Sequence, residues 1–401
     1  MTARPRRVAV PLLIALLTVI LRVVAIVHVH ALNQPPEENR IIARNLAAGE
    51  GFSFADFQYV GPTSIRPPLY PFLLAGLDRT FGIESKGASI AALALNVLAG
   101  AATVLFAFFL ARPLFGSRLA TVAAFALAVW PTQIYAATQF QGLSIGVALL
   151  LATLLLARRQ WPIAYGIAAG LATLCESILL LPLLLVGAWT FRRKIDGLIL
   201  MPLALLMVLL PWAYRNSLVR DRPTLVTNNF AVDLFRGNGP DATGSVHLST
   251  IGSDGKPESE FDRLLPQQFD ALRHQPEAQR DALLFGWAKS WIIAHPLQYA
   301  RLCLIRVAKT FWTDWHHPLA LNWINVVTRT LASGAALVCI IGAFSFPGRR
   351  FRFEPAFVLI LLGLLLATMF TVAEARNTVL MDVPQLLLGL ALFRSQPVSG
   401  T

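Results

Sequence analysis

The sequence predicts an all-α polytopic membrane protein, and two observations lead to this prediction. The chain of 401 residues is 56% hydrophobic and only 14% charged, with a mean hydropathy of +0.60, which lies well outside the composition of soluble domains. Its Lys and Arg residues gather at the ends of apolar segments, as orientation signals of membrane proteins do. The net charge of +12 therefore indicates membrane topology and argues against nucleic-acid binding.

The apolar segments are long enough to cross a bilayer as helices. The first, from about residue 8 to 29, exceeds the core of a signal peptide and precedes no small-residue cleavage site, so we expect a retained span. A spanning helix needs about 20 residues, which predicts about ten spans, with an error of one or two. They lie near residues 9–29, 87–111, 118–134, 138–157, 161–175, 177–191, 196–213, 321–345, 353–372 and 377–393.

The basic clusters predict the orientation of these spans. All of them fall on one side if both termini are cytoplasmic. The clusters are Arg4/Arg6/Arg7, Arg112/Arg118, Arg158/Arg159, Arg192/Arg193/Lys194, Arg349/Arg350/Arg352 and Arg394. We therefore expect a multi-pass protein of the inner (plasma) membrane, with a transmembrane core at 1–213, an external region at 214–320 and C-terminal transmembrane helices at 321–401.

The first external loop, residues 30–86, carries an acidic pair, Glu37-Glu38. The prolines before the pair stop the first helix, so the two carboxylates lie at the N-terminus of a new helix, where negative charge is favoured. Gly49 ends that helix. Its aliphatic residues predict that it lies along the membrane face. A second short helix begins in the proline-rich run that follows Arg66.

Two further regions are predicted outside the membrane. The short spans near 161–175 and 177–191 form a thin hairpin with Glu176 at its outer tip. Residues 237–260 are rich in Gly, Ser, Asp and Pro and predict a loop. Residues 277–313 mix aromatic and basic residues at helical spacing, which predicts a pair of interfacial helices broken at His295-Pro296.

Neither the cysteines nor the histidines predict a metal site. Cys175, Cys303 and Cys339 lie in apolar surroundings without disulfide or metal spacing. Adjacent histidines on a helix point apart, so His316-His317 is a poor metal site beside Asp314. No cofactor is therefore indicated, and assistance by a divalent ion stays open.

Several motifs, taken in order, carry a resemblance to a known family. They are Glu37-Glu38-x-x-Ile41-Ile42-Ala43, Gly49-x-Gly51-Phe52, Gly61-Pro62-Thr63, Arg66-Pro67-Pro68-Leu69-Tyr70-Pro71, Pro211-Trp212-x-x-Arg215-Asn216, Gly237-Asn238-x-Pro240-x-Ala242-x-Gly244 and Ala294-His295-Pro296 followed by Arg306 and Trp312. Together they resemble the GT-C glycosyltransferases related to protein O-mannosyltransferases and bacterial lipid A aminoarabinose transferases, in the bacterial family-39-type branch. Each motif is weak alone, and the resemblance rests on their joint order over most of the chain.

The resemblance implies a membrane transferase that takes a sugar from a polyprenyl-phosphate-linked donor at the external, periplasmic face. The fold would then be a GT-C-type bundle with external juxtamembrane helices. In this family an acidic residue of the first external loop is the catalytic base. Spacing to the following Ile and Ala puts Glu37 at that position, although the usual residue is Asp. A branch-specific alignment favours Glu38, so both remain candidates.

The chemistry also requires a cationic site. Transfer of a sugar from phosphate to a hydroxyl needs a base for the acceptor proton and donors that hold the phosphate. Arg66, Arg215 and Arg376 are the phosphate-binding candidates, because a guanidinium can bind phosphate oxygens in two places. Tyr70 and Asn216 lie in the same motifs and are further site candidates.

Three positions depart from the family pattern. Relatives often carry an acidic residue at about Gln141, and many have Leu-Thr-Arg-Pro or Leu-Thr-Asn-Pro where this chain reads Leu174-Cys175-Glu176-Ser177. Asn377 replaces the Tyr that commonly follows the arginine between the last two spans. A carboxylate near the membrane is a site candidate by default, so Glu176 is added to the candidates. Gln141 is added because it stands where relatives often carry an acidic residue.

We therefore expect an inverting glycosyltransferase whose partners are the lipid-linked donor, membrane lipids and a glycan, lipid or protein acceptor. Two alternatives remain. A lipid or sugar transporter or flippase would also have many spans, but such proteins usually contain internal repeats and interrupted midplane helices, which the sequence lacks. A catalytically inactive GT-C homologue is the other, because the acidic residue at Gln141 is lost.

Overall fold

The computed structural model describes residues 6–56, 58–251, 257–259, 264–317, 321–345 and 354–393. The predicted basic residues Arg4, Arg349, Arg350, Arg352 and Arg394 lie outside these ranges. The described chain is mainly helical. Its helices are α1 Arg6–His28, α2 Glu38–Ala48, α3 Leu69–Phe81, α4 Lys86–Ala128, α5 Pro131–Ala137, α6 Leu143–Arg158, α7 Pro162–Cys175, α8 Leu180–Phe191, α9 Ile195–Arg220, α10 Phe230–Gly237, α11 Pro266–Leu272, α12 Glu277–Ala294, α13 Pro296–Phe311, α14 Trp323–Ser345, α15 Pro355–Met369 and α16 Asn377–Leu390.

The prediction of an all-α polytopic membrane protein is confirmed. Within the described residues, four helices are long and apolar enough to cross a membrane: Ala9–His28, Lys86–Ala128, Ile195–Arg220 and Trp323–Ala343. Shorter apolar helices account for the remaining predicted spans, namely Leu143–Arg158, Pro162–Cys175, Ser177–Phe191, Pro355–Met369 and Asn377–Phe393. The sequence thus located the apolar helices correctly.

Helix α4 contains two of the predicted spans, which meet at Gly116. The backbone there has φ 83° and ψ 170°, a conformation that glycine adopts easily. Arg22 of α1 contacts both halves: its Nη1 donates to the Ala128 carbonyl at 3.3 Å, and its side chain fills the space beside Gly100. A straight helix would separate Gly100 from Ala128 by about 42 Å, so the chain folds back at Gly116.

The span predicted near 118–134 is too long. Helix α4 ends at Ala128, and a separate helix begins at Pro131. Proline disfavours helical backbone in the residue before it, which explains the break at Trp130. The next span begins only at Leu143, because residues 139–142 form turns and bends.

The predicted loop at 237–260 is only partly correct. Its described part contains two short antiparallel strands, His247–Ile251 and Pro257–Ser259. A second hairpin, Ser53–Asp56 paired with Tyr59–Pro62, lies in the first external loop and was not predicted. The strands of both hairpins have three to five residues, which is at or below the short end of the roughly 4–8 residues over which strand periodicity is read. The helix pair broken at His295-Pro296 is confirmed as α12 and α13.

Helices α7 and α9 pack closely through two glycines one turn apart. A Cβ at Gly166 would collide with the carbonyl oxygen of Met201, and one at Gly170 would lie 2.7 Å from the Cβ of Val208. Small residues at this spacing let helix backbones approach in membranes. The glycines therefore fix how α9, whose C-terminal end reaches the site, lies against the bundle.

The loops predicted on the external side and those predicted on the cytoplasmic side lie in different parts of the structure. A cavity of about 190 Å³ is lined by residues next to predicted cytoplasmic turns, namely Leu114, Arg158, Arg192 and Glu354. The predicted external residues meet elsewhere, around the acidic pair. This separation agrees with spans that cross the membrane alternately.

We predict opposite effects of adding one methyl group at two helical glycines. Gly166→Ala should destabilise the fold by about 1–3 kcal/mol, because the new Cβ meets backbone that cannot easily move. Gly76→Ala is the matched control, since no atom lies within 4 Å of its Cβ and alanine favours helix by about 1 kcal/mol. Thermal unfolding in detergent checks this. Equal shifts of Tm in both variants would contradict the close packing of α7 on α9.

Candidate active site

The acidic pair begins helix α2, as predicted. Glu37 is the extended N-cap residue with φ −84° and ψ 174°, Glu38 opens the first turn, and Gly49 ends the helix with φ 86°. Ile42 and Ala43 are fully buried, so one face of α2 packs into the protein and fixes the direction of both carboxylates. Because the pair spans the boundary between extended and helical backbone, its side chains reach different partners.

Glu37 meets Gln141, one of the predicted site residues. The Gln141 Nε2 donates to Glu37 Oε2 at 2.9 Å. Gln141 lies just before α6, and 104 positions separate the two residues in the chain. The neutral amide holds the carboxylate without neutralising its charge.

Glu38 forms an ion pair with Arg66. The Arg66 Nη2 lies 2.8 Å from Glu38 Oε2, with the two side chains 16% and 34% exposed. Burial raises the pKa of the Glu38 carboxyl, but the charge and hydrogen bond of Arg66, with the charge of Arg376, outweigh burial and lower the pKa to about 2. Glu38 is therefore ionised at neutral pH and holds the Arg66 guanidinium.

A cavity of about 310 Å³ brings Arg376 together with three carboxyl groups, and we call it the large cavity. Its charged lining residues are Glu176, Asp233, Glu374 and Arg376. Apolar residues, among them Ile178, Leu180 and Ala367, complete the wall toward the bundle. The lining of the cavity thus combines charged and apolar residues.

Glu176 lies at the turn between α7 and α8, as predicted. Its side chain lies across α6, where a Cβ at Gly146 would come within 2.8 Å of Glu176 Cγ. Burial raises the pKa of the Glu176 carboxyl, although Arg376 and Arg66 oppose this. Glycine at 146 is therefore needed for the carboxyl to reach the cavity.

A second cavity of about 220 Å³ lies beside the first, and we call it the small cavity. Glu38 and Arg66 line it, together with Glu277 and Asp281. Asn229 lines both cavities. The two spaces are therefore adjacent, and the start of α10 separates them.

Arg66 and Arg376 act on the same carboxyl groups. Both lower the pKa of Glu38, Glu176, Asp233 and Glu374 against the effect of burial. Arg376 also pairs directly with Glu374, which keeps the pKa of Glu374 below its usual value. Burial and then the charge of Glu374 raise the pKa of Asp233. The two predicted phosphate-binding arginines thus belong to one electrostatic site.

Arg215 and Asn216 contact the polypeptide backbone instead. Arg215 donates to the carbonyl of Thr63 and to that of Phe52 at 2.9 Å. The Asn216 Nδ2 donates to the Val226 carbonyl at 2.7 Å. Neither Arg215 nor Asn216 is among the described residues that line the two cavities. Their described contacts hold the first external loop and the segment after α9 in place.

Tyr70 is buried where α2 and α3 pack together. Its hydroxyl accepts a hydrogen bond from Asn96 Nδ2 at 3.2 Å, and its side chain packs in an apolar cluster with Ala43 and Leu74. Burial raises the pKa of the Tyr70 hydroxyl, which therefore stays protonated. Tyr70 therefore helps to hold α3 against α2.

Six charged residues that line the two cavities were not predicted from the sequence: Asp233, Arg236, Glu277, Arg280, Asp281 and Glu374. A signal existed for two of them, because Glu277 and Asp281 are four positions apart and share one face of α12. Their common partner Arg220 is the last residue of α9, seven positions beyond the span predicted at 196–213.

The described side chains contain no group of three or more His, Cys, Asp or Glu residues arranged to hold a metal ion. His316 contacts Lys309 Nζ at 2.9 Å through its Nδ1, and Lys309 pairs with Asp314 at 3.1 Å. These residues form a polar cluster of their own under α13.

Comparison with known proteins gives two similar solved structures. No family model and no curated protein matches the chain. The apo structure of ArnT from Cupriavidus metallidurans is 17% identical over 90% of this chain and 73% of that chain, with a TM-score of 0.39. The structure of the same protein bound to undecaprenyl phosphate is 16% identical over 96% and 77%, with a TM-score of 0.43. Neither value assigns the chain to a family.

The lowered pKa of Glu38 predicts a pH-dependent contribution to stability. A carboxyl whose pKa falls on folding stabilises the native state above its unfolded pKa, and this contribution is lost as the pH falls through the folded value. The Tm difference between the wild type and Glu38→Gln should therefore be largest at neutral pH and shrink between about pH 5 and pH 2. The control Glu84→Gln removes a more exposed pair with Arg44 at 3.8 Å and should change Tm little. A Tm difference for Glu38→Gln that does not change with pH would contradict the pairing.

Proposed function

We propose that the protein is a membrane glycosyltransferase of the GT-C type, which moves a sugar from a polyprenyl-phosphate-linked donor to an acceptor hydroxyl at the external face. One observation carries the proposal. The Glu38 carboxylate of α2 and two arginines from distant parts of the chain, Arg66 and Arg376, line two adjacent cavities beside the apolar bundle. A lipid-linked phosphate needs such a mixture of charged and apolar surface.

The charges of the site suit a phosphodiester. Burial raises the pKa of Asp233 and of Glu176, which weakens the negative charge that faces Arg66 and Arg376. A sugar linked to a prenyl phosphate carries one negative charge, which would add a further partner for these two guanidinium groups. We assign the phosphate to the space between Arg66 and Arg376.

We assign Glu37 as the general base and Glu38 as the residue that orients Arg66. A carboxylate with a pKa near 2 is a weak proton acceptor, because its charge is already stabilised by an arginine. The described hydrogen bond of Glu37 comes from the neutral Gln141, which orients the carboxylate and leaves its charge available. On this assignment Gln141, where relatives often have an acid, positions the base.

The reaction is then a single displacement. The acceptor hydroxyl oxygen forms a bond to the anomeric carbon while the bond from that carbon to the phosphate oxygen breaks. Glu37 takes the hydroxyl proton, and the polyprenyl phosphate leaves with the bonding electron pair. Arg66 and Arg376 stabilise the charge that develops on the phosphate. Attack from the face opposite the leaving group inverts the anomeric configuration.

Sugar transfer by the purified protein from a synthetic prenyl-phosphate donor tests this function. Glu37→Gln should lower the turnover rate by roughly 100- to 10,000-fold, because the acceptor proton then has no base. Glu38→Gln and Arg376→Ala should mainly weaken donor binding. The control is Glu84→Gln, on the same external loop, which should transfer normally.

Four other outcomes would contradict parts of this proposal. Normal transfer by Glu37→Gln would exclude it as the base, and loss of turnover only in Glu38→Gln would move the base to Glu38. Movement of the donor across vesicle membranes without any transfer would favour the transporter. Donor binding without turnover by the wild type would identify an inactive homologue.

A further inference from the structure

We propose that Glu277 is a positioning residue that holds Arg66 in place for the lipid-linked phosphate. This inference rests on the proposed function and extends it to a residue of the external region. Glu277 is the first residue of α12, and 214 positions separate it from its hydrogen-bond partner Thr63. It therefore ties the external region to the first external loop.

The Glu277 carboxylate accepts hydrogen bonds from two consecutive residues of that loop. The Thr63 hydroxyl donates to Oε2 at 2.7 Å. The Ser64 hydroxyl donates to Oε1 at 2.7 Å, and the Ser64 backbone N–H donates to Oε2 at 3.1 Å. Thr63, Ser64 and Glu277 are all buried, so water competes little for these bonds. The carboxylate thus fixes both the backbone and the side chains at this point.

Arg220 supplies the charge that makes the arrangement stable. It is fully buried at the C-terminal end of α9, donates to Glu277 and Asp281, and reaches the Ser64 hydroxyl at 3.1 Å. A buried carboxylate is costly unless paired and hydrogen-bonded. The helix ends add to this, since a helix C-terminus favours the arginine and a helix N-terminus favours Glu277.

Arg66 lies two residues after Ser64, which Glu277 and Arg220 hold in place. After Arg66 the chain passes through Pro67-Pro68 into α3, where Tyr70 is buried. Arg66 is therefore held on both sides, by Glu277 before it and by the prolines and α3 after it. Its guanidinium and the Glu277 carboxylate line the same small cavity. Loosening the Glu277 contacts frees one side of Arg66.

A double-mutant cycle with farnesyl phosphate as the probe tests the proposal, by calorimetric titration of the full chain in detergent. Removing a carboxylate from the cavity wall would by itself strengthen binding of an anion. Glu277→Gln should nevertheless weaken binding about tenfold, because an amide nitrogen cannot accept the bonds that one carboxylate oxygen accepts. Arg66→Ala should weaken binding as well. The double variant should bind no more weakly than Arg66→Ala alone, because Glu277 acts through Arg66.

Thr63→Val provides a milder variant that removes a single hydrogen bond to Glu277, and it replaces Glu277→Gln in the cycle if that protein does not fold. It should weaken binding in the same direction, whereas Thr121→Val, at an exposed helix position, should not. Additive losses in the cycle, or unchanged or tighter binding by Glu277→Gln, would overturn the positioning role. A wild-type protein that neither binds the probe nor transfers sugar would instead refute the proposed function.

Discussion

The pairing of arginines with carboxylates around the two cavities is the constraint on which the site depends. A guanidinium in partly buried surroundings needs a nearby negative charge, and the first external loop, the external region and the last connection each supply such a pair. Glu38 holds Arg66, Glu374 holds Arg376, and Glu277 with Asp281 holds Arg220. The first pair joins α2 to the segment before α3, the last group joins α12 to the end of α9, and Glu374 with Arg376 lies just before α16. Residues of these pairs line both cavities.

The same principle works inside the bundle. Arg329 of α14 and Asp382 of α16 are both fully buried and pair at 2.6 Å, and Thr132 and Gln133 of α5 also donate to Asp382. This network ties three helices together below the site. A carboxylate and an arginine that support each other here have a structural role, whereas the pairs at the cavities face space that a ligand can enter. The position of an arginine–carboxylate pair, inside the bundle or at a cavity, therefore distinguishes a structural role from a ligand-binding role, whereas the residue types do not.

The sequence predicted local features well and long-range contacts poorly. Apolar length located the helices, the prolines before Glu37 located the start of α2, and the short spans located Glu176, because each signal lies within a few residues of the feature. The role of Arg215 depends on carbonyl groups of Phe52 and Thr63, which lie 163 and 152 positions away. Glu277 and Asp233 were missed for the same reason, since only the folded chain brings them to the cavities. The two hairpins are too short to give a periodic signal.

The two glutamates, alike in sequence, are separated by their surroundings: Glu38 is held by an arginine and Glu37 by a neutral amide. The central claim is that Arg66 and Arg376 share one lipid-linked phosphate beside this pair. The most direct measurement is an electron cryo-microscopy structure of the protein in lipid nanodiscs with bound undecaprenyl phosphate. We predict phosphate oxygens within about 3 Å of both guanidinium groups, with the prenyl chain against apolar residues that line the large cavity, such as Ile178 and Leu180. A phosphate bound away from both arginines would contradict it.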